Sequence, residues 1–135
     1  MTHILFYRES NTMARDYAYM DRLISMFGFI PIAIDRSLEE ETHYDGHAYP
    51  SLSRALTDPR WDGFTWIWMD HRGSRDLESF HHPLDGAIYC IGSDTDGFQN
   101  IEHPGDRLRL PDDMGGETFA SLVMPVLLAH LRWGG

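Results

Sequence analysis

The chain contains no lysine. All 11 basic residues are arginines, set against 21 Asp and Glu, for a formal net charge of -10. A surface this acidic repels phosphate backbones at long range, so a polynucleotide partner must be met by a local arginine cluster or through a basic companion. Cysteine is nearly absent as well: Cys90 stands alone, which excludes an intramolecular disulfide and a cysteine-rich zinc site. No apolar run approaches the roughly 20 residues of a membrane span, and the opening MTHILFYRES places Arg8 where a signal peptide would continue its apolar core. Internal repeats, low-complexity tracts and linker-like segments are missing too. These absences leave the expectation of one cytoplasmic domain over residues 1–135, whose 42% hydrophobic content suffices for a single core.

What is present alternates between apolar runs and helical periodicities. His3–Arg8 reads as a short buried strand. From Thr12 to Phe27 the apolar positions Met13, Tyr17, Met20, Ile24 and Phe27 recur at helical spacing, with Ser10 or Asn11 as N-cap and Gly28 as the stop. Phe29–Ile34 gives a second strand, and residues 35–62 read as a loop holding one short helix near Ser51–Thr57. Phe64–Met69 is a third strand, aromatic on one face, with a short helix expected near Arg75–Phe80. Gly86–Ile91 and Arg107–Leu110 supply two further strands, and Glu117–Arg132 an apolar final helix that Pro125 should kink. Alternation without a run of hairpins predicts an α/β domain around a mostly parallel sheet. The final helix is apolar beyond what one sheet needs, which predicts packing against a second copy.

In open parallel sheets ligands bind beyond the carboxyl ends of the strands. Three glycine-containing loops are expected there: Asp70–Gly73, Gly92–Gly97 and Pro111–Gly116. Gly92-Ser-Asp-Thr-Asp-Gly97 lacks the Lys-Ser/Thr of a P-loop and the glycine spacing of a dinucleotide fingerprint, and a plain chain-reversing loop stays open for it. Asp94 and Asp96 lack further ligand spacing. His71, His81, His82 and His103 are loosely scattered with no helical His-x-x-x-His pair, so they are expected to face solvent and no metal site is expected. Cys90, inside a strand, reads as a buried small apolar residue and not a nucleophile. Arg15 stands one turn into the first helix, where the dipole disfavours a cation, so its place asks for another reason, and taken alone a solvated side chain is the favoured one.

Three segments, taken in order, resemble the SPOUT superfamily of methyltransferases in its SpoU/TrmH-type branch, which methylates ribose 2'-hydroxyls in RNA. Asn11–Arg15 with the later Phe27-Gly28-Phe29 is similar to the first motif. Ala87–Gly97 is similar to the second, a strand ending in Gly-x-Glu-x-x-Gly, and Leu108–Pro111 with the Thr118–His130 helix to the third. The resemblance implies an α/β fold with a mostly parallel sheet, helices on both faces, a C-terminal trefoil knot, a homodimer, and bound S-adenosylmethionine. It implies cofactor contacts from Met69, His71, Gly92, Asp94, Gly97, Leu110, Pro111, Thr118 and Ala120. It also implies a catalytic role for Asn11 and Arg15, with Arg15 activating the ribose hydroxyl, and tRNA or rRNA as the substrate, met by arginines across the dimer. Two positions depart from the pattern: Asp94 stands where the family carries Glu, and Phe119, which cannot make amide hydrogen bonds, stands where it carries Asn. With the acidity, these keep a second function open, a SPOUT-like dimeric binding or regulatory module that has lost transfer chemistry.

Overall fold

The structure, a computed structural model, describes residues 2–8, 21–43, 46–69, 75–83, 85–91, 105–109 and 129. Its strands are β1 (His3–Arg8), β2 (Ile30–Asp35), β3 (His47–Tyr49), β4 (Thr65–Met69), β5 (Arg75–Asp76), β6 (Ala87–Ile91) and β7 (Asp106–Arg109). They make one seven-stranded sheet in the order β3-β2-β1-β6-β4-β7-β5. Every strand pair in it is parallel. Residues 21–26 are helical (α1), Leu52–Leu56 form α2, and a 3-10 turn spans Pro59–Trp61.

The alternation of side chains along each strand sorts the core into two layers. Ile4, Phe6, Ala33, Ile67, Met69, Tyr89, Ile91 and Leu108 lie in one, together with Ile24 of α1 and the helical residue Ala129. Leu5, Ile32, Ile34, Tyr49, Trp66, Trp68, Ile88 and Cys90 lie in the other, with Ala55 of α2 and Trp61. Because β6 is buried at all five positions, its sequence Ala87-Ile-Tyr-Cys-Ile91 reads as an unbroken apolar run. Burial pushes the Cys90 thiol up, in keeping with an inert packing role.

Helix α1 ends as the glycine predicts. The Phe29 N–H donates to the Ile24 carbonyl and the Gly28 N–H to the Ser25 carbonyl, each at 3.0 Å, the paired bonds of a Schellman cap. Gly28 sits at φ 81°, and Phe29 and Ile24 share a core layer, which supplies the apolar contact of that motif. Gly28→Ala is expected to lower stability by about 1 kcal/mol or slightly more, measured as a shift of the urea midpoint at unchanged slope.

Three expectations are corrected. Residues 35–62 are not wholly loop and short helix, because β3 pairs with β2 through Ile32↔His47, Ala33↔Ala48 and Ile34↔Tyr49. In place of a helix near Arg75–Phe80 there is β5, then a single 3-10 turn over Leu77–Ser79. Asp76 is the residue that would cap such a helix, but its carboxylate accepts from Arg109 Nε at 2.5 Å, tying β5 to β7, and makes no capping bond. The last strand is shifted by one residue, to Asp106–Arg109. Of the long helices read from the sequence, 12–20 and nearly all of 117–132 lie outside the described residues. Among the described residues no helix is long and apolar enough to cross a membrane.

Candidate functional site

The strand order creates a reversal beside β1. From β1 the chain moves toward β2 and β3, whereas from β6, the strand next to β1 on its other side, it moves toward β7. Adjacent strands whose connections depart in opposite directions leave a crevice at their carboxyl ends, the general location for ligands in parallel sheets. The segment with Asn11 and Arg15 follows β1 in sequence, and the segment with Gly92, Asp94 and Gly97 follows β6. Next to β6, the end of β4 is in register with two neighbours, Met69 pairing with Ile91 of β6 and with Leu108 of β7. Met69, Ile91 and Leu108 are all buried, so this edge of the sheet has an apolar floor.

Met69 is therefore placed at the predicted edge. Asn11, Arg15, His71, Gly92, Asp94, Gly97, Leu110, Pro111, Thr118 and Ala120 lie outside the described residues. One ion pair sits at the end of β1, where Arg8 Nη2 donates to Asp21 Oδ2 of α1 at 3.0 Å, both side chains about a third exposed. It fixes α1 against the strand end from which the Arg15 segment leaves. A cleft of about 330 Å³ beside the β2–β3 edge is lined in part by Arg8, Asp21, Pro31 and His47, and Met69 takes no part in it.

A second constellation lies at the opposite margin of the sheet, separated from β4 by β2, β1 and β6. Thr42 and Ala48 form an antiparallel bridge, each N–H donating to the other's carbonyl at 2.9 Å. In that register His43 falls opposite His47 and Glu41 opposite Tyr49, which places four functional side chains on one face. The two histidines meet through their Nδ1 atoms at 2.8 Å, a contact that needs one proton between them. His43 Nε2 lies 3.3 Å from Glu41 Oε2 and 3.8 Å from Asp58 Oδ2.

Asp58 is fixed from several sides. Tyr49 O–H donates to its Oδ2 at 2.5 Å, the Arg60 backbone N–H donates to its Oδ1 at 2.9 Å, and Trp61 Nε1–H donates to the Tyr49 oxygen at 2.8 Å. Burial alone would raise the Asp58 carboxyl, but the bonds from Tyr49 and Arg60 and the nearby charges of Arg60 and His43 outweigh it and hold the group below the usual carboxylate range. Burial first, and then the Asp58 hydrogen bond, push the Tyr49 hydroxyl well up. The His3 ring packs edge-on against Trp61 at 4.8 Å and closes the apolar side of the cluster.

His47 is held below the ordinary histidine range, by burial most and then by His43 and Arg60, with Asp58 opposing. A histidine whose native pKa is depressed binds fewer protons folded than unfolded, so stability rises with pH across the gap. Stability is accordingly expected to fall as pH drops below about 6.5. Urea midpoints read from neutral pH downward check this, and His47→Gln should flatten the slope.

The sequence reading passed over this cluster. The available signal was Asp45-Gly46, a turn dipeptide between Glu41–His43 and His47–Tyr49. His82 also departs from the solvent-facing expectation: Tyr89 O–H donates to its Nδ1 at 2.8 Å and its Nε2–H to the Leu77 carbonyl at 2.9 Å, latching the Leu77–Ser79 turn onto β6. His81 is exposed as expected. Compared with known proteins, the chain matches no family model and no curated sequence.

Proposed function

We propose that the protein is an S-adenosylmethionine-dependent RNA 2'-O-ribose methyltransferase of the SPOUT type. The observation that carries this reading is the chain reversal beside β1: Asn11–Arg15 and Gly92–Gly97 follow the two strands that flank it, while His71 follows β4 and Leu110 follows β7. Support comes from motif order combined with strand order, not from overall sequence similarity. Helices over both faces, a C-terminal trefoil knot, a homodimer and a cytoplasmic setting belong to the same reading.

The residues present fit the cofactor in one respect. Met69, Ile91 and Leu108 give the edge an apolar floor, as a slot for adenine and a methionine side chain requires, with polar selection left to a few loop groups. His71, Gly92, Asp94, Gly97, Leu110, Pro111, Thr118 and Ala120 would hold it together with Met69. When bound, the sulfonium supplies an activated methyl group. The chain's own contribution is to position the acceptor: Asn11 and Arg15 would orient the ribose hydroxyl, and Arg15 would stabilise the negative charge that develops on its oxygen. An arginine cannot serve as the base, since its guanidinium stays protonated.

The test is incubation of the full chain with labelled S-adenosylmethionine and total tRNA or rRNA, followed by nucleoside analysis. Label in a 2'-O-methyl nucleoside is the expected result. Label in no nucleoside, from either RNA, contradicts the enzyme and leaves the binding-module alternative favoured by Asp94 and Phe119.

A further inference from the structure

We propose that Glu41, His43 and Asp58 bind one divalent transition-metal ion of the zinc type, with His47 as the group that orients His43. The site lies beside β3, apart from the carboxyl edge invoked above. Among the described residues these three bring one ligand atom each to within 4.8 Å of one another. Ligands about 2.0–2.2 Å from a tetrahedral ion stand about 3.3–3.6 Å apart. His43 Nε2 is already 3.3 Å from Glu41 Oε2 and 3.8 Å from Asp58 Oδ2, so closing the shell requires only modest side-chain movement. One imidazole with two carboxylates is a donor set that zinc and its neighbours accept, and it cancels the charge of a divalent ion.

The surroundings are built as metal sites build theirs. A metal-bound histidine commonly donates its second ring N–H to a fixed acceptor, which sets tautomer and ring plane. His43 has such an acceptor in His47 Nδ1, 2.8 Å from its own Nδ1. Asp58 is oriented by Tyr49, itself bonded to Trp61, and by the Arg60 backbone. The Thr42–Ala48 bridge fixes the backbone that presents Glu41 and His43. Side-chain exposures of 40% for Glu41 and 26% for His43 leave an entry path, and with three protein ligands the fourth tetrahedral position would fall to water. Among the described residues the opposing charge is Arg60, whose Nε lies 3.9 Å from Asp58 Oδ2; its side chain is 46% exposed and able to swing into solvent. Without metal, a His43 Nε2–H pointing at the carboxylates satisfies the same groups. On binding, His43 coordinates as the neutral imidazole that keeps its Nδ1–H toward His47 and gives the Nε2 lone pair to the metal, and a proton carried on Nε2 by the imidazolium form is released to solvent.

The experiment is calorimetric titration of Zn²⁺ into the full chain after chelator treatment and dialysis, with bound metal counted by elemental analysis. The expected result is one ion per chain, binding at least tenfold weaker in Glu41→Gln and in His43→Ala, and no change in His81→Ala, which removes an exposed histidine elsewhere. Both ligand variants alter partly exposed side chains, and circular dichroism checks that they remain folded. Absence of binding in the wild type overturns the proposal. So does equal affinity in a folded His43→Ala or Glu41→Gln, which would assign the ion to the chain's other histidines.

Discussion

Gly105→Ala is expected to destabilise the protein by roughly 2–4 kcal/mol, a large share of the stability of a domain this size. Gly105 immediately precedes β7 at φ 152°, a backbone conformation that side chains with a Cβ rarely adopt. A Cβ there would collide with the Trp66 carbonyl oxygen and stand 3.0 Å from Trp68 Nε1. Neither neighbour can retreat. The Trp66 backbone lies in β4, paired with β6 on one side, and the Trp66 and Trp68 rings are stacked at 5.8 Å within a buried layer. The strain therefore falls on the entry of β7 beside β4, where Ile67↔Asp106 opens the pairing. Thermal unfolding should drop by on the order of 10 °C. A midpoint within a degree or two of wild type would mean that β7 enters the sheet differently.

Arg15→Ala is expected to lower the rate of methyl transfer by about 100- to 1,000-fold, the loss typical when one preorganised donor facing a developing oxyanion is removed. The reading assigns Arg15 to the acceptor hydroxyl and none of the cofactor contacts, so affinity for S-adenosylmethionine should stay unchanged. Arg15→Lys should restore only part of the rate, because a single ammonium reproduces the charge but not the planar fork of donors. Equal rates for wild type and Arg15→Ala would remove the arginine from the reaction and leave the hydroxyl to be activated by another group. A parallel loss of cofactor affinity would place it in the slot instead.

The parts of the fold that were legible in the sequence share a physical cause. β1, β4 and β6 are covered on both faces, so their apolar runs are unbroken, and the glycine after Phe27 marks a helix end because few other residues tolerate its φ of 81°. β3 was not legible. It is three residues long and exists through pairing with β2, which no local pattern encodes, while the Asp45-Gly46 turn dipeptide marks only its bridge to Thr42. The helix expected near Arg75 failed for a similar reason, since Asp76 is claimed by Arg109, 33 positions away in sequence. The Glu41–His43–Asp58 cluster depends on the same long-range pairing, with Tyr49 drawing Asp58 across from the 3-10 turn that follows α2. Among the residues predicted to line a cofactor slot, Met69 was placed correctly at a strand end, because the change from Trp-Ile-Trp-Met to Asp-His-Arg-Gly marks that end in the sequence itself.

The most direct measurement is calorimetric titration of the wild-type chain with S-adenosylhomocysteine, which carries the nucleoside and amino acid of the cofactor but no methyl group to transfer. A SPOUT-type slot at the carboxyl ends of β4, β6 and β7 predicts saturable heat with one ligand per chain. No detectable heat at millimolar ligand, from protein whose thermal transition is intact, would contradict it.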